Sequence, residues 1–136
     1  MRVKISIPID ILIVSIKMAS ILSPLDPYFK AVNSPRDERL HLILAAFHTH
    51  ATLTDPDGNT YYGRDEIKNF YSSARSSVFT TGFKATPDPD SAQNTRPNEI
   101  RVDITLSNDV GQIVVRDWFE MKDGLIVTMR ITKLAQ

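Results

Sequence analysis

Two aspartates are placed where a carboxyl group could do acid–base chemistry, and the first of them is Asp55. The segment His50–Phe70 (HATLTDPDGNTYYGRDEIKNF) begins as an alternating strand and then turns at Asp55-Pro56-Asp57-Gly58. A rigid strand positions a side chain at its end while the following turn exposes it, an arrangement typical of working residues. A turn also selects Asp at this place, because its carboxylate accepts backbone hydrogen bonds. Asp55 is therefore predicted to be either a proton acceptor or a turn-capping residue.

The second aspartate, Asp117, interrupts an apolar strand face. Side chains alternate along the predicted strand Gln112–Met121, and one face of it carries Ile113, Val115, Asp117, Phe119 and Met121. If this face looks into the interior, desolvation disfavours the ionised form and raises the pKa of Asp117. Two explanations are open for a neutral acid in an apolar wall. Either it has a functional role, or it forms a hydrogen bond to a neighbouring residue. The opposite face carries Trp118, which predicts a subunit interface there.

Hydrophobic periodicity predicts the elements that must position these two acids. Helical spacing indicates a short helix over Ser23–Asn33, a second helix that begins after Ser34, and a third after Gly63 with Ile67, Phe70, Tyr71 and Ala74 on one face. Further along, Val78–Lys84 is predicted to be extended and Ala85–Asn98 to be a long loop, followed by strands at Glu99–Ser107, Gln112–Met121 and Leu125–Leu134. Helices first and a strand meander last predict an α+β domain, with the helices packed on one face of a bent antiparallel sheet.

The composition excludes several classes of protein. A chain of 136 residues is the size of one domain with a real core. Sixteen basic and sixteen acidic side chains balance, so we expect no nucleic-acid partner. The absence of cysteine excludes disulfides and thiolate chemistry, and it fits a cytoplasmic location.

Residues 1–17 (MRVKISIPIDILIVSIK) differ from the rest of the chain. They are apolar and β-branched, but Pro8 and Asp10 interrupt them, so the stretch is too short and too broken for a membrane span. A secretory signal is disfavoured, because the acid and the poor cleavage region at Ala19-Ser20 do not suit one. We expect an extension at residues 1–17, a single domain at residues 18–136, and no membrane partner.

Four short patterns together resemble the NTF2-like superfamily and, within it, the SnoaL-like and ketosteroid-isomerase-like branch. They are a first helix that contains a tyrosine, the capped second helix, ATLTDPDG followed by YGRDEI, and DWFEMKDGLI near the end. The resemblance covers about residues 24–134. It implies a cone in which three N-terminal helices pack in the concave face of a bent antiparallel sheet. The same cone hosts enzymes, binding proteins and association domains, so the fold alone does not determine the activity.

The resemblance also implies roles for three residues. Asp55 falls on the position of the catalytic base, Asp117 on that of a protonated acid that stabilises an oxyanion, and Tyr28 near that of an assisting phenol. The implied function is a cofactor-independent isomerase or cyclase, with no metal, acting on a hydrophobic carbonyl-bearing metabolite such as a polyketide, terpenoid or steroid-like compound. The expected partners are this small molecule and a second copy in a homodimer. The predicted pocket-lining residues are Phe47, Phe70, Val115, Phe119, Met121 and Met129.

Other functions stay open at the level of the sequence. One is a noncatalytic ligand-binding or dimerisation module of the same fold. Another is an epoxide hydrolase, since Arg101-Val102-Asp103 places an arginine and an acid on one strand face, although the acid expected on the last strand is replaced by Ile131. A metal site at His48 and His50 lacks a third ligand at a recognised spacing.

Overall fold

A computed structural model describes residues 21–73 and 84–134 of the chain. Its helical elements are a 3-10 turn at Ser23–Leu25, α1 at Asp26–Val32, α2 at Arg36–Ala45, α3 at Gly63–Ser72 and a second 3-10 turn at Pro89–Ser91. Its strands are β1 at Phe47–Thr54, β2 at Thr60–Tyr62, β3 at Lys84–Pro87, β4 at Gln93–Arg96, β5 at Glu99–Ser107, β6 at Gln112–Lys122 and β7 at Leu125–Lys133. The predicted extension at residues 1–17 and the extended segment before Lys84 lie outside the described residues.

The helices form where the apolar spacing predicts them, but they do not all precede the sheet. Helix α1 begins with Asp26 and Pro27, an acid that suits the positive end of a helix and a residue that needs no backbone donor there. Helix α3 buries Ile67, Phe70 and Tyr71 along one face. It follows β1 and β2 in the chain, as the extended segment predicted before Gly63 indicates. In the described part of the chain, no helix combines the length and the apolar character that crossing a membrane requires.

The sheet is mixed, which corrects the predicted antiparallel sheet. Seven strands pair in the order β2-β1-β7-β6-β5-β3, and β4 pairs with β5 beside this path. All pairs are antiparallel except β1 with β7. The exception arises because the first long strand joins the sheet next to the last one, and the intervening helix and strands return the chain to the same direction. Whether all three helices lie within a concave face stays a prediction.

The predicted loop Ala85–Asn98 contains two strands and a 3-10 turn, so that prediction was wrong. Strand β3 pairs with one part of β5, and its Pro87 is tolerated because it lies at the end of an edge strand. Strand β4 pairs with another part of β5, and all its residues are exposed. A strand that buries no face shows no alternation of apolar and polar residues, which explains why its sequence resembles a loop.

The inner face of the sheet carries the core. Strand β5 alternates without exception, and it buries Ile100, Val102, Ile104 and Leu106. Strand β6 continues this layer with Val115, Asp117 and Phe119, all less than one-tenth exposed. Asp55 and Asp117 are the polar residues that belong to the buried set among the described residues. The parity predicted for Asp117 therefore agrees with the structure.

Arg64 joins the start of α3 to an irregular part of β1. The pairing of β1 with β7 shifts between Phe47 and Thr52, so the backbone there does not follow a regular ladder. Arg64 donates to the Phe47 carbonyl oxygen from Nε at 3.0 Å and from Nη2 at 2.7 Å. Two donors of a charged group on one backbone oxygen form a strong contact. The arginine thereby fixes the helix against the strand that ends at Asp55.

Replacing Arg64 by alanine should destabilise the fold. The substitution removes both hydrogen bonds to the Phe47 carbonyl, and the expected loss in the free energy of unfolding is about 1–3 kcal/mol. Urea denaturation followed by far-ultraviolet circular dichroism measures this loss. Arg36→Ala, at an exposed position at the start of α2, is the matched control and should change stability by less than about 0.5 kcal/mol. Equal stability of the two variants would contradict a structural role for Arg64.

Candidate functional site

A cavity of about 80 Å³ lies between helices α1 and α3 and the inner face of β5, β6 and β7. Most of its wall is apolar, because strands and helices both turn their buried side chains toward it. The polar side chains in this wall are those of Tyr28, Asp117 and Lys133. Apolar lining residues from the helices and the sheet include Phe29, Val32, Phe70, Ile104, Val115 and Ile131. Such a lining suits a hydrophobic molecule oriented by a few polar groups.

Asp117 is the chemically unusual group in this wall. Strand β6 holds it between Val102 on β5 and Ile131 on β7, and only 3% of the residue is exposed. Within the described parts of the chain, its Oδ1 atom has no hydrogen-bond partner. Burial raises the pKa of Asp117 well above its ordinary value, and the nearby charge of Asp103 raises it further. These surroundings favour the protonated, neutral form of the carboxyl group, which can donate a hydrogen bond.

Tyr28 shares the cavity with Asp117 and is joined to a second tyrosine. The hydroxyl oxygens of Tyr28 and Tyr71 lie 2.8 Å apart in a buried hydrogen bond, and the Tyr71 hydroxyl also donates to the Met129 sulfur at 3.6 Å. Burial raises the pKa of both phenols above the usual value of about 10, and Asp117, once ionised at high pH, is a further cause for each. Both hydroxyls therefore stay protonated.

Sequence reasoning gave Tyr71 no functional role, although it placed this residue on the apolar face of α3. Its position on that face was the only signal in the sequence, and the same signal marks ordinary core aromatics. The hydrogen bond to Tyr28 distinguishes it, and that bond spans 43 residues of the chain. Tyr71 thus positions the Tyr28 hydroxyl through this hydrogen bond.

Asp55 adopts the turn-capping arrangement. Its Oδ1 accepts the backbone N–H groups of Asp57 at 3.0 Å and Asn59 at 2.9 Å, and its Oδ2 accepts the Tyr61 hydroxyl at 3.2 Å. The Asn59 side-chain amide donates to the same carboxylate at 3.2 and 3.3 Å. Burial alone would raise the pKa of Asp55, but these hydrogen bonds outweigh it and the pKa is lowered. The next residue, Pro56, lines the cavity, whereas Asp55 is not part of the lining.

The predicted pocket-lining residues divide into two groups. Phe70 and Val115 line the cavity. Phe47, Phe119 and Met129 do not line it, since they are fully packed in the core, where Phe47 and Phe119 contact the Tyr28 ring edge-on at centroid distances of 6.0 and 5.3 Å. Met121 lies outside the cavity because β6 carries it past the helices to the turn at Asp123-Gly124, beside a separate shallow depression.

The epoxide-hydrolase prediction was wrong, because Arg101 and Asp103 point away from the cavity. They alternate on β5 with the buried residues of its inner face. Arg101 donates to Gln93 at 2.5 Å, and Asp103 accepts two hydrogen bonds from Arg116, at 2.7 and 3.1 Å. The position where that branch would need a second acid is Ile131, which is apolar and lines the cavity.

His48 and His50 both belong to β1, rather than to a helix–strand junction. Their rings are 5.8 Å apart, and the His48 Nδ1 atom accepts the backbone N–H of His50 at 3.1 Å. In residues 21–73 and 84–134, no three His, Cys, Asp or Glu side chains are grouped as a metal site would require.

Comparison with known proteins identifies the fold. No protein-family model matches the sequence, and no curated protein matches it. A protein of the SnoaL-like family from Agrobacterium tumefaciens has a TM-score of 0.68 at 18% identity, over 86% of this chain and 99% of that chain. An NTF2-like protein of unknown function from Burkholderia pseudomallei has a TM-score of 0.61 at 19% identity, over 84% and 90%. TerC, co-crystallised with polyporic acid, has a TM-score of 0.64 at 16% identity, over 84% and 91%.

These similarities confirm the resemblance at the level of the fold. The chain has the NTF2-like fold that SnoaL-like and ketosteroid-isomerase-like proteins share. Sequence identities below one-fifth leave the activity to be argued from the cavity itself.

Replacing Asp55 by alanine should cost stability more than a surface aspartate does. The substitution leaves the backbone N–H groups of Asp57 and Asn59 and the Tyr61 hydroxyl without their acceptor. We expect a loss of about 2–4 kcal/mol in the free energy of unfolding at pH 7, since each stranded donor costs roughly 1–3 kcal/mol. Asp109→Ala, in the exposed turn before β6, is the control.

The difference in stability between wild type and Asp55→Ala should depend on pH. Because the pKa of Asp55 is lowered in the folded protein, its contribution is present above the unfolded value of about 3.9 and is lost as the pH falls through the folded pKa. Wild type and Asp55→Ala should therefore approach each other in stability as the pH falls through the lowered pKa of the folded protein. A difference that persists unchanged in acid would contradict the role of the ionised carboxylate.

The opposite pH dependence is expected for Asp117. In the unfolded chain the Asp117 carboxyl group loses its proton at about pH 3.9, whereas the folded protein retains the proton to higher pH. Its contribution is full below the unfolded pKa and is lost as the pH rises toward the folded pKa. Asp117→Asn, which cannot ionise, should therefore gain stability over wild type as the pH rises from the unfolded pKa toward the raised folded pKa, by about 1.4 kcal/mol per unit of pKa difference.

Chemical denaturation at several pH values measures this gain. Asp26→Asn, an exposed acid at the start of α1, is the control and should show no growing advantage with pH. A wild-type protein that matches Asp117→Asn at every pH would show that Asp117 ionises normally.

Proposed function

We propose that this NTF2-like domain is a cofactor-independent isomerase or cyclase that acts on a hydrophobic, carbonyl-bearing small molecule. The observation that carries the proposal is Asp117, a buried acid without a hydrogen-bond partner on Oδ1 among the described residues, in the wall of an apolar cavity. An unsatisfied buried carboxyl group costs stability, and it is explained if a ligand supplies the missing partner. The binding of polyporic acid by TerC supports small-molecule binding in this fold.

The substrate carbonyl oxygen would accept hydrogen bonds from Asp117 and Tyr28. The Tyr28 hydroxyl has one proton, which it gives either to Tyr71 or to a ligand. When a carbonyl arrives, Tyr71 donates to Tyr28 instead of to the Met129 sulfur, since sulfur is the weaker acceptor. Tyr28 is then free to donate into the cavity. Two donors aimed at the carbonyl oxygen stabilise the negative charge that develops during enolisation.

Asp117 would also carry the proton. Among the described residues that line the cavity, Asp117 is the one that carries a carboxyl group. The carboxylate of Asp55 instead accepts backbone hydrogen bonds within its own turn. Asp117 gives its proton to the carbonyl oxygen, and the resulting carboxylate takes a proton from the adjacent carbon, which leaves the enol. Because the base is a single carboxylate, the substrate needs an activated C–H bond, such as one next to the carbonyl. The step moves protons only, so it requires no redox partner.

A noncatalytic ligand-binding module is the second candidate. The observation that favours it is the hydrogen bonding of Asp55, which is predicted to be the base but whose lowered pKa and several donors make it a poor proton acceptor in this arrangement. In this case Asp117 and Tyr28 would hold a carbonyl without moving a proton. Turnover, rather than binding, separates the two candidates.

We further propose that two copies associate through the outer face of the sheet. Trp118 lies on this face with the Arg130 guanidinium 4.3 Å above its ring, and Arg101 is its neighbour on β5. Aromatic and arginine side chains are enriched at such interfaces. The cavity opens on the other face, so association would leave it accessible.

Asp117→Asn and Asp117→Ala test the proton transfer. The amide still donates a hydrogen bond but has no acidic proton, so Asp117→Asn should keep ligand binding within about threefold while losing at least about 100-fold in exchange rate. Asp117→Ala should lose both. The exchange rate is measured by nuclear magnetic resonance as the incorporation of deuterium next to the carbonyl of β-tetralone in deuterated buffer. Binding is measured by titrating the protein with β-tetralone and following the same spectra.

Asp55→Asn is the comparison variant for this test. The substitution retains the size of the side chain. Because the proposal gives Asp55 no part in the proton transfer, the exchange rate should decrease only to the extent that the weakened turn destabilises the protein. Complete loss of exchange in a folded Asp55→Asn protein would make Asp55 the base, as the sequence predicts. Binding of β-tetralone by wild type without any enzyme-dependent exchange would favour the noncatalytic module.

A further inference from the structure

Lys133 is the cationic side chain in the lining of the cavity. It lies two residues after Ile131 on β7, so both side chains are on the cavity side of the sheet. Across the strand pair it faces Val115 of β6, which also lines the cavity. Asp117 faces Ile131 in the same register, so the acid and the lysine occupy successive positions along one wall.

The Lys133 ammonium group has no partner in the described part of the chain. Neither an ion pair nor a hydrogen bond joins it to a side chain of residues 21–73 or 84–134. Lys133 is also exposed, so its ammonium group is reachable from solvent. A cation at the edge of an apolar wall, with no internal counter-charge, suits an anionic group on a ligand.

The spacing of the two polar groups defines the shape of that ligand. Asp117 and Lys133 are offset by two residues along the sheet, which separates their backbones by roughly 7 Å in the strand direction. Both side chains belong to the lining of the cavity, one as a donor and the other as a cation, and most of the other lining residues are apolar. A flexible lysine stem adjusts to ligands of different length.

We propose that Lys133 is a specificity-determining residue that selects substrates carrying a carboxylate at the end opposite to their reactive carbonyl. The proposal rests on the function proposed above, because it takes the carbonyl to lie at Asp117 and Tyr28. The substrate class is then a hydrophobic keto acid with a rigid or ring-shaped body. A neutral ketone of the same shape would lack the contact with Lys133.

A pair of probes that differ only in charge tests this selection. The probes are para-acetylbenzoate and its methyl ester, which share the ketone and the ring, and binding is measured by nuclear magnetic resonance titration of the full chain. Wild type should bind the carboxylate about five- to tenfold more tightly than the ester, which is the range for a charged contact at a partly dry edge. The preference should decrease with added salt, since the lysine is exposed to solvent.

Substitutions at Lys133 assign the preference to this residue. Lys133→Met keeps the apolar stem without the charge, so it should abolish the preference for the acid and leave the affinity for the ester within about twofold. Lys133→Arg should retain the preference. Lys122→Met, an equal change of charge at the exposed end of β6, is the matched control and should behave as wild type.

The outcomes separate this inference from the proposed function. Equal binding of acid and ester by wild type, unchanged in Lys133→Met, would overturn the role of Lys133 and leave the carbonyl site intact. A preference for the acid that survives Lys133→Met would also overturn it. If wild type binds neither probe, both the inference and the proposed carbonyl site fail.

Discussion

The structure depends on one electrostatic constraint, which is that burial on a face of the sheet disfavours the ionised form of a carboxyl group. Asp117 is held there by hydrogen-bonded neighbours on both sides, Val102 on β5 and Ile131 on β7. A strand in the middle of a sheet cannot turn its side chain outward without moving its entire register. Burial therefore raises the pKa of the acid, which favours its protonated form in the wall of the apolar cavity.

The two buried aspartates show that the surroundings, rather than the residue type, set the chemistry. Both Asp55 and Asp117 are only 3% exposed. Hydrogen bonds from the turn lower the pKa of Asp55, whereas burial without such donors raises the pKa of Asp117. The ionised group stabilises the end of β1, and the neutral group faces the cavity. Structural and chemical roles are thereby divided between two identical side chains.

The hydroxyl pair of Tyr28 and Tyr71 connects the helices to this acid. Tyr28 comes from α1 and Tyr71 from α3, and their hydrogen bond joins the two helices above the sheet. The pair stays protonated because burial raises the pKa of both phenols. With Lys133 at the edge of the same wall, the cavity combines neutral donors with one positive charge. Such a combination is the basis for the proposed preference for carbonyl compounds that also carry an anionic group.

The sequence alone determined the periodic elements and the parity that turns Asp117 inward, because these depend on local spacing of apolar residues. The general fold came from the resemblance of its motifs to a known superfamily. It did not determine that β1 lies parallel to β7, that β4 is a strand, or that Tyr71 reaches Tyr28, since these follow from contacts between distant parts of the chain. The turn at Asp55 combines a feature that the sequence determined with one that only the tertiary structure decided. Its motif is visible in the sequence, but only the folded turn shows that its donors occupy the carboxylate, because a pKa reports the whole surroundings of a group.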